Sequence, residues 1–297
     1  MEQKISGKED RIIDIVITIL AILTLFICAY PLYFVVIASF SDPTLVGTGQ
    51  VLFLPKGLTL AAYEFIFRDK DIWMGYGNTI IYTICSVVFA LAVIVPGAYA
   101  LSRKDFVGRR PILMLLTFTM FFQGGLIPTY IMVSKYGLLN TRAILVILNS
   151  VTVFNVIIAR TFFVTTLPNE LFEAASIDGC GNATFFFRIV LPLSKTIIAV
   201  LALYVAVWQW NSYFNSLIYT TNRKLMPLQL VLRELLVQGQ NLSSSEDMDA
   251  ESIRYMMEIS QLIKYGIIVV STLPIICAYP FAQKYFVKGV MIGSVKG

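Results

Sequence analysis

The sequence predicts an all-α, polytopic membrane protein with six transmembrane helices in a single domain over residues 1–297. Three observations carry that prediction. The chain is 57% hydrophobic and only 14% charged, with a mean hydropathy of +0.76, where a soluble domain carries about a quarter charged residues. Six apolar stretches approach the length of about 20 residues that a helix needs to cross a bilayer. They lie near 15–38, 79–101, 111–133, 143–163, 196–219 and 265–283. None of the 18 carboxylates falls inside them.

The first stretch is too long for a signal peptide and lacks a small-residue cleavage site, so it reads as a retained helix. The second ends at the short basic loop Arg103-Lys104…Arg109-Arg110. The third is interrupted by Gln123-Gly124-Gly125…Pro128, which predicts a kink with locally unpaired carbonyls. Such a kink suits a helix that bends during gating, and it is also common in membrane helices generally. The fourth carries Asn149, Ser150 and Asn155; the fifth carries Trp208, Gln209, Asn211, Tyr213 and Asn215. Between the fifth and sixth, apolar residues at helical spacing (Leu228, Val231, Leu232, Leu235, Leu236) precede the polar run Ser243–Asp249. That pattern describes a surface helix on the membrane or a partner subunit, or a dock for an extracellular binding protein.

Orientation follows from Lys and Arg placement. With both termini inside, the inner segments hold 13 basic residues in 71 positions and the outer segments 10 in 92. The loop at 166–192 is then cytoplasmic. The net charge of +5 is a topology signal rather than a sign of nucleic-acid binding. Cys28, Cys85 and Cys277 sit in apolar stretches as small hydrophobes, and Cys180 lies in the cytoplasmic loop. The chain has no histidine and no pair of cysteines spaced as metal ligands.

Intramembrane acids and histidines build proton relays, and their absence from the spans argues against a proton-coupled carrier. It equally argues against a membrane-embedded enzyme using acid–base catalysis, so we expect no catalytic residue, metal or cofactor in this chain. Sodium coupling through backbone carbonyls stays open. Gly7-Lys8 is followed by Glu9 and lacks the remainder of a P-loop. Energy is therefore expected from another polypeptide.

The 166–192 loop predicts two short helices with an elbow. Pro168 suits a first helical turn, with Glu170 and Glu173 near the positive end of the dipole. Leu171, Ala174, Ala175 and Asp178 follow helical spacing, and the alanine pair allows close approach of another surface. Gly179 fits a left-handed stop, Asn182 can cap a second helix through Val190, and Pro192 marks the turn into the fifth span. Periodicity alone describes an interfacial helix resting on headgroups equally well.

A solute path would need polar groups and aromatic faces. Asn149, Asn155, Trp208, Gln209, Asn211, Tyr213 and Asn215 are the candidates, with Trp208, Asn211 and Asn215 sharing a face on one continuous helix. Polar residues in spans also serve helix–helix hydrogen bonding, and the aromatics also fit an interfacial belt.

Glu173-Ala174-Ala175, two residues, Asp178-Gly179, and then Leu191-Pro192 closely resemble the EAA loop of ATP-binding-cassette importer permeases. One departure is Cys180, where that family commonly has alanine. The tail Gln283-Lys284-Tyr285-Phe286-Val287-Lys288-Gly289, with Gly293-Ser294-Val295-Lys296-Gly297, resembles the shorter, six-span partner of maltose-type carbohydrate permeases. Asn140-Thr141 after Gly137-Leu138-Leu139, and Trp210-Asn211, fit the same pattern. The resemblance runs from Ile15 onward and is nearest to permeases for complex oligosaccharides. It implies a type I importer fold in the bacterial cell membrane, and it makes the loop a coupling helix seated on a cytoplasmic ATPase. Glu170, Glu173, Ala174, Ala175, Asp178, Gly179 and Pro192 are the coupling residues it implies. It further implies a second homologous permease, two ATPase subunits that bind ATP and Mg, and an extracellular solute-binding protein. A receptor or scaffold that binds a sugar-loaded protein without transport is the rival reading, but the short inner segments leave no room for a signalling domain.

Overall fold

The computed structural model describes residues 8–241, 263–277 and 280. The polar run Ser243–Asp249, the end of the sixth apolar stretch and the basic tail lie outside these residues. In chain order the helices are α1 (Lys8–Ser39), α2 (Pro43–Gly47), α3 (Ala61–Arg68), α4 (Lys70–Ser102), α5 (Arg109–Phe121), α6 (Leu126–Lys135), α7 (Arg142–Ile147) and α8 (Val153–Thr166). There follow α9 (Asn169–Ile177), α10 (Asn182–Phe185), a π-helical turn (Phe186–Val190), α11 (Leu191–Leu193), α12 (Lys195–Trp210), α13 (Phe214–Tyr219), α14 (Leu228–Asn241) and α15 (Ile263–Cys277).

The chain divides into two compact units. The first comprises Met1–Asp69 and Glu234–Thr272. Its α1 has 32 residues, about 48 Å at 1.5 Å per residue, and residues 11–30 are exposed on every side. An all-round apolar surface is what a helix solvated by lipid presents. Its far end is held by polar contacts. Tyr30 donates its hydroxyl to the Leu52 carbonyl at 3.2 Å, and Tyr33 donates to that of Phe53. Asp42 caps α2 by accepting from the Thr44 and Leu45 amides. The Phe40 ring stacks on Tyr63 at 4.9 Å. Phe34 meets Tyr265 edge-on at 6.0 Å, and a Cβ on Gly266 would come within 3.1 Å of both Ile66 and Ala62.

The second unit, Lys70–Arg233 and Leu273–Gly297, is built around α4. Ala90, Ile94 and Ala98 on α4, Ala159 on α8 and Leu201 on α12 are completely buried in one apolar core. The three alanines among them let helix backbones approach closely, which is how packing replaces the hydrophobic effect inside lipid. At its N-terminal end, α4 presents Gly75, Asn78, Thr79 and Tyr82 at i, i+3, i+4 and i+7. Asn78 Nδ2 donates to the carbonyls of Lys224 and Met226 at 2.8 and 3.0 Å. Tyr82 donates to Leu225 O at 2.9 Å, and Thr79 Oγ1 accepts from the Leu228 amide at 2.8 Å. Arg223 pairs with Asp71 at 2.7 Å. Asn140, at φ +56°, accepts through Oδ1 from the Thr221 and Asn222 amides at 2.7 and 3.1 Å. The start of α14 is consequently buried against its own chain.

Three of the expected continuous spans are broken. Within 111–133 the chain turns by 114° between α5 and α6, with Gly125 at φ +85°, so the Gly-Gly segment makes a corner where a kink was expected. Within 143–163, α7 ends before Asn149 at φ +66°; α8 restarts when Thr152 Oγ1 accepts from the Asn155 amide. Within 196–219, α12 ends at Trp210 and α13 begins at Phe214. The physical reason is shared. Hydropathy reports membrane depth, whereas Asn, Ser and Gly decide backbone continuity by offering local hydrogen bonds or left-handed φ.

Candidate functional site

The 166–192 loop starts from Pro168, which caps α9 in extended conformation (ψ 148°) rather than lying in its first turn. At the other end the Gly179 amide donates to Ser176 O at 3.0 Å and the Cys180 amide to Ala175 O at 2.9 Å, with Gly179 at φ +75°. That pair of bonds is the Schellman termination, which places Cys180 and Ala175 together in the apolar core. Asn182 is the first helical residue of α10, and Gly181 occupies the cap position without a side-chain bond, so the expected asparagine cap is displaced by one residue. Pro192 lies in the second position of α11, exposed, and the 76° bend into α12 falls after it, at Ser194.

The alanine pair is split between two faces. Ala175 is buried, and Leu171 and Phe172 pack beside it. Glu170, Glu173, Ala174 and Ile177 are exposed, and their i, i+3, i+4, i+7 spacing makes one stripe along α9. Ile177 is 87% exposed, an apolar tip on an otherwise polar face, and Asp178 and Gly179 extend the stripe. The loop's inner face is continuous with the bundle. Phe172 meets Phe185 edge-on at 5.2 Å, and Phe186 meets Tyr99 of α4 at 5.2 Å. Arg103, just past α4, lies with its guanidinium carbon 3.3 Å from the Phe172 ring centroid. Its Nε and Nη2 donate to both Asp105 oxygens at 2.9 and 2.8 Å, and this bonding holds the Asp105 carboxyl below its ordinary range.

The candidate path residues do not form one face, because the helix that would align them ends at Trp210. Gln209 is buried and donates Nε2 to Leu145 O at 3.1 Å, tying α12 to α7. Asn155 is buried at the start of α8. Trp208, Asn211 and Tyr213 are exposed, Asn215 is half-buried, and Asn149 is exposed in the α7–α8 break. Asn211 Nδ2 donates to Val207 O at 2.8 Å, a second bond to the carbonyl that the Asn211 amide also reaches at the end of α12.

No family profile matches the chain. Among curated proteins it is 38% identical over 267 residues to Protein LplC of Bacillus subtilis (strain 168), covering 90% of this chain and 89% of that one. It is 35% identical over 290 residues to the polygalacturonan/rhamnogalacturonan transport system permease protein YtcP of the same organism, covering 97% and 100%. Among solved structures it matches a chain of a bacterial ABC transporter involved in the import of the acidic polysaccharide alginate. The TM-score there is 0.83 with 32% identity, covering 96% of this chain and 100% of that one. The chain belongs to the ATP-binding-cassette sugar-importer permeases.

The relatives are transport permeases and not enzymes. Membership also settles the fold class as a polytopic helical membrane protein. Several residues that organise the permease left little trace in its sequence. Arg103 and Asp105 counted only as charges, although together they seat Phe172. Ile177, beside the acidic motif, carries no sequence signal of its own. The i, i+3, i+4, i+7 register of Gly75, Asn78, Thr79 and Tyr82 is the available signal for the clamp at the N-terminal end of α4.

Proposed function

We propose that this permease is the passive half of an oligosaccharide importer whose α9 stripe is the seat of a cytoplasmic ATPase. The single supporting observation is the two-faced α9: Glu170, Glu173, Ala174, Ile177 and Asp178 outward, Leu171, Phe172 and Ala175 locked into the bundle core. A helix built this way transmits force because its inner face cannot slip relative to α4 and α8. A second homologous permease completes the pathway, two ATPase subunits bind ATP and Mg, and a solute-binding protein delivers sugar from outside. Both termini are cytoplasmic, as the basic-residue bias favours. ATP-driven closure of the ATPases displaces α9, and the bundle switches between inward- and outward-open states.

The solute is an acidic oligosaccharide. Two relatives above 30% identity carry polygalacturonan/rhamnogalacturonan and alginate in their descriptions. The permease has no carboxylate between Asp105 and Glu170, so that whole stretch of the bundle offers no like charge to repel a uronate. In proteoliposomes holding the full complex and its binding protein, trigalacturonate should stimulate ATP hydrolysis several-fold more than maltotriose. Stimulation by maltotriose alone would discard the acidic substrate.

Asn211 and the neighbouring Trp208 and Tyr213 line the path in this reading, whereas Gln209 and Asn155 serve packing. Asn211→Leu should lower uptake several-fold while the ATPase subunits still co-purify, because the residue is exposed and lies away from α9. Unchanged uptake of acidic and neutral sugars alike would remove Asn211 from the path.

A further inference from the structure

We infer that Arg103 is a positioning residue that fixes the angle of α9 against α4, so that motion of the loop reaches the transmembrane bundle. The inference rests on the reading of α9 as the ATPase seat. Its evidence is a set of contacts that converge on Arg103 and the last turn of α4. Arg103 stands one residue beyond the end of α4 and spends Nε and Nη2 on both oxygens of Asp105. This leaves its planar face on the Phe172 ring at 3.3 Å. The Arg103 carbonyl accepts from Arg109 Nη1 at 3.2 Å, which anchors the start of α5 to the same point. One turn back on α4, Tyr99 lies edge-on to Phe163 of α8 at 5.8 Å and against Phe186 of the π turn at 5.2 Å. From α8 itself, Arg160 Nε donates to the Leu101 carbonyl at 3.1 Å. The last turn of α4 is thereby tied to α5, α8, α9 and the π turn at once.

The geometry requires arginine. A fork held flat by a carboxylate presents a rigid, weakly hydrated face to an aromatic ring, which a lysine ammonium cannot reproduce. The contact is also directional. Phe172 is on the inner side of α9, one residue before Glu173 on the outer stripe, so displacement of the stripe moves the ring against the guanidinium. Asp105 keeps the fork from swinging away.

The test uses the assembled complex in proteoliposomes and reads sugar taken up per ATP hydrolysed, normalised to complex recovered. Arg103→Ala and Arg103→Lys are expected to lower that ratio at least about fivefold with ATPase subunits still bound, and Phe172→Leu likewise. Phe172→Tyr, which keeps the ring, should retain the parent ratio. A residue that merely stabilises the fold would reduce recovered complex and leave the ratio of what remains unchanged; that result, or a normal ratio in Arg103→Ala, overturns the inference. Gly179→Pro run in parallel separates the two levels. If it uncouples and Arg103→Ala does not, the Arg103 role alone falls. If both couple normally, the reading of α9 falls with it.

Discussion

Gly179→Pro should abolish most sugar uptake, by tenfold or more, in a complex that still reaches the membrane. Gly179 sits at φ +75°, and proline is fixed near −65°, so the loop cannot keep its course. The proline also lacks the amide that donates to Ser176 O. Losing the stop removes this terminal bond, and the neighbouring Cys180–Ala175 bond is lost with it. The stripe of Glu173, Ala174 and Ile177 would then no longer be presented at a fixed angle to the ATPase proposed to seat there. Gly179→Ala is the graded control. It retains the amide and pays about 1–2 kcal/mol for a left-handed alanine, so uptake should fall by less. Glu173→Lys tests the outward face without touching the backbone, and it should uncouple hydrolysis from uptake while leaving α9 folded. Vesicle uptake and ATP hydrolysis measured on the same preparations decide the matter. Normal uptake in Gly179→Pro would contradict a mechanical role for the loop.

Gly75→Val should be the most damaging single change around the N-terminal end of α4. A Cβ at Gly75 would lie 3.0 Å from Leu228 Cα and 3.1 Å from its amide nitrogen. Those are backbone atoms, so relief requires the two segments to part. Parting them also breaks the bond from the Leu228 amide to Thr79 and strains those from Asn78 and Tyr82 to the 224–226 carbonyls. Overpacking of this kind costs about 1–3 kcal/mol, and each buried carbonyl left without a donor adds about 1–3 kcal/mol. We expect the detergent-purified complex to lose several degrees of thermal stability and the 220–228 segment to become sensitive to protease. Gly77→Ala is the internal comparison, since a Cβ there meets nothing within 4 Å. Equal stability of the two variants would show that the close approach carries no energy.

How much of this was legible beforehand depends on the residue type. Lipid-facing character is a bulk property, and α1 and the middle of α4 follow the apolar runs closely. Gly179 was readable because a left-handed stop has few alternatives, and the structure puts it at that φ. The alanine pair was only half readable: both fit helical spacing, but which one turns inward depends on where Phe172 and Phe185 pack. Continuity of the fourth and fifth stretches was not readable from hydropathy, since Asn149 and Asn211 cost little in an apolar average yet each ends a helix. The arginine seat at Phe172 depends on a contact across 69 positions of chain, for which local pattern carries no information. Asn140 illustrates the same limit. Its neighbours gave a family likeness, while its bonds to Thr221 and Asn222 belong to tertiary structure.

The unequal self-sufficiency of the helices bears on how the chain is made. Residues 15–29 of α1 are exposed on every side among the described residues and are almost wholly apolar, so this segment can leave the translocation channel for lipid as soon as it is synthesised. At 14 residues, about 21 Å, α8 is too short to rest in the bilayer alone and must wait for α4 and α12. Biogenesis therefore has a built-in order, with an early anchor and a later cooperative insertion of the helices that enclose the core.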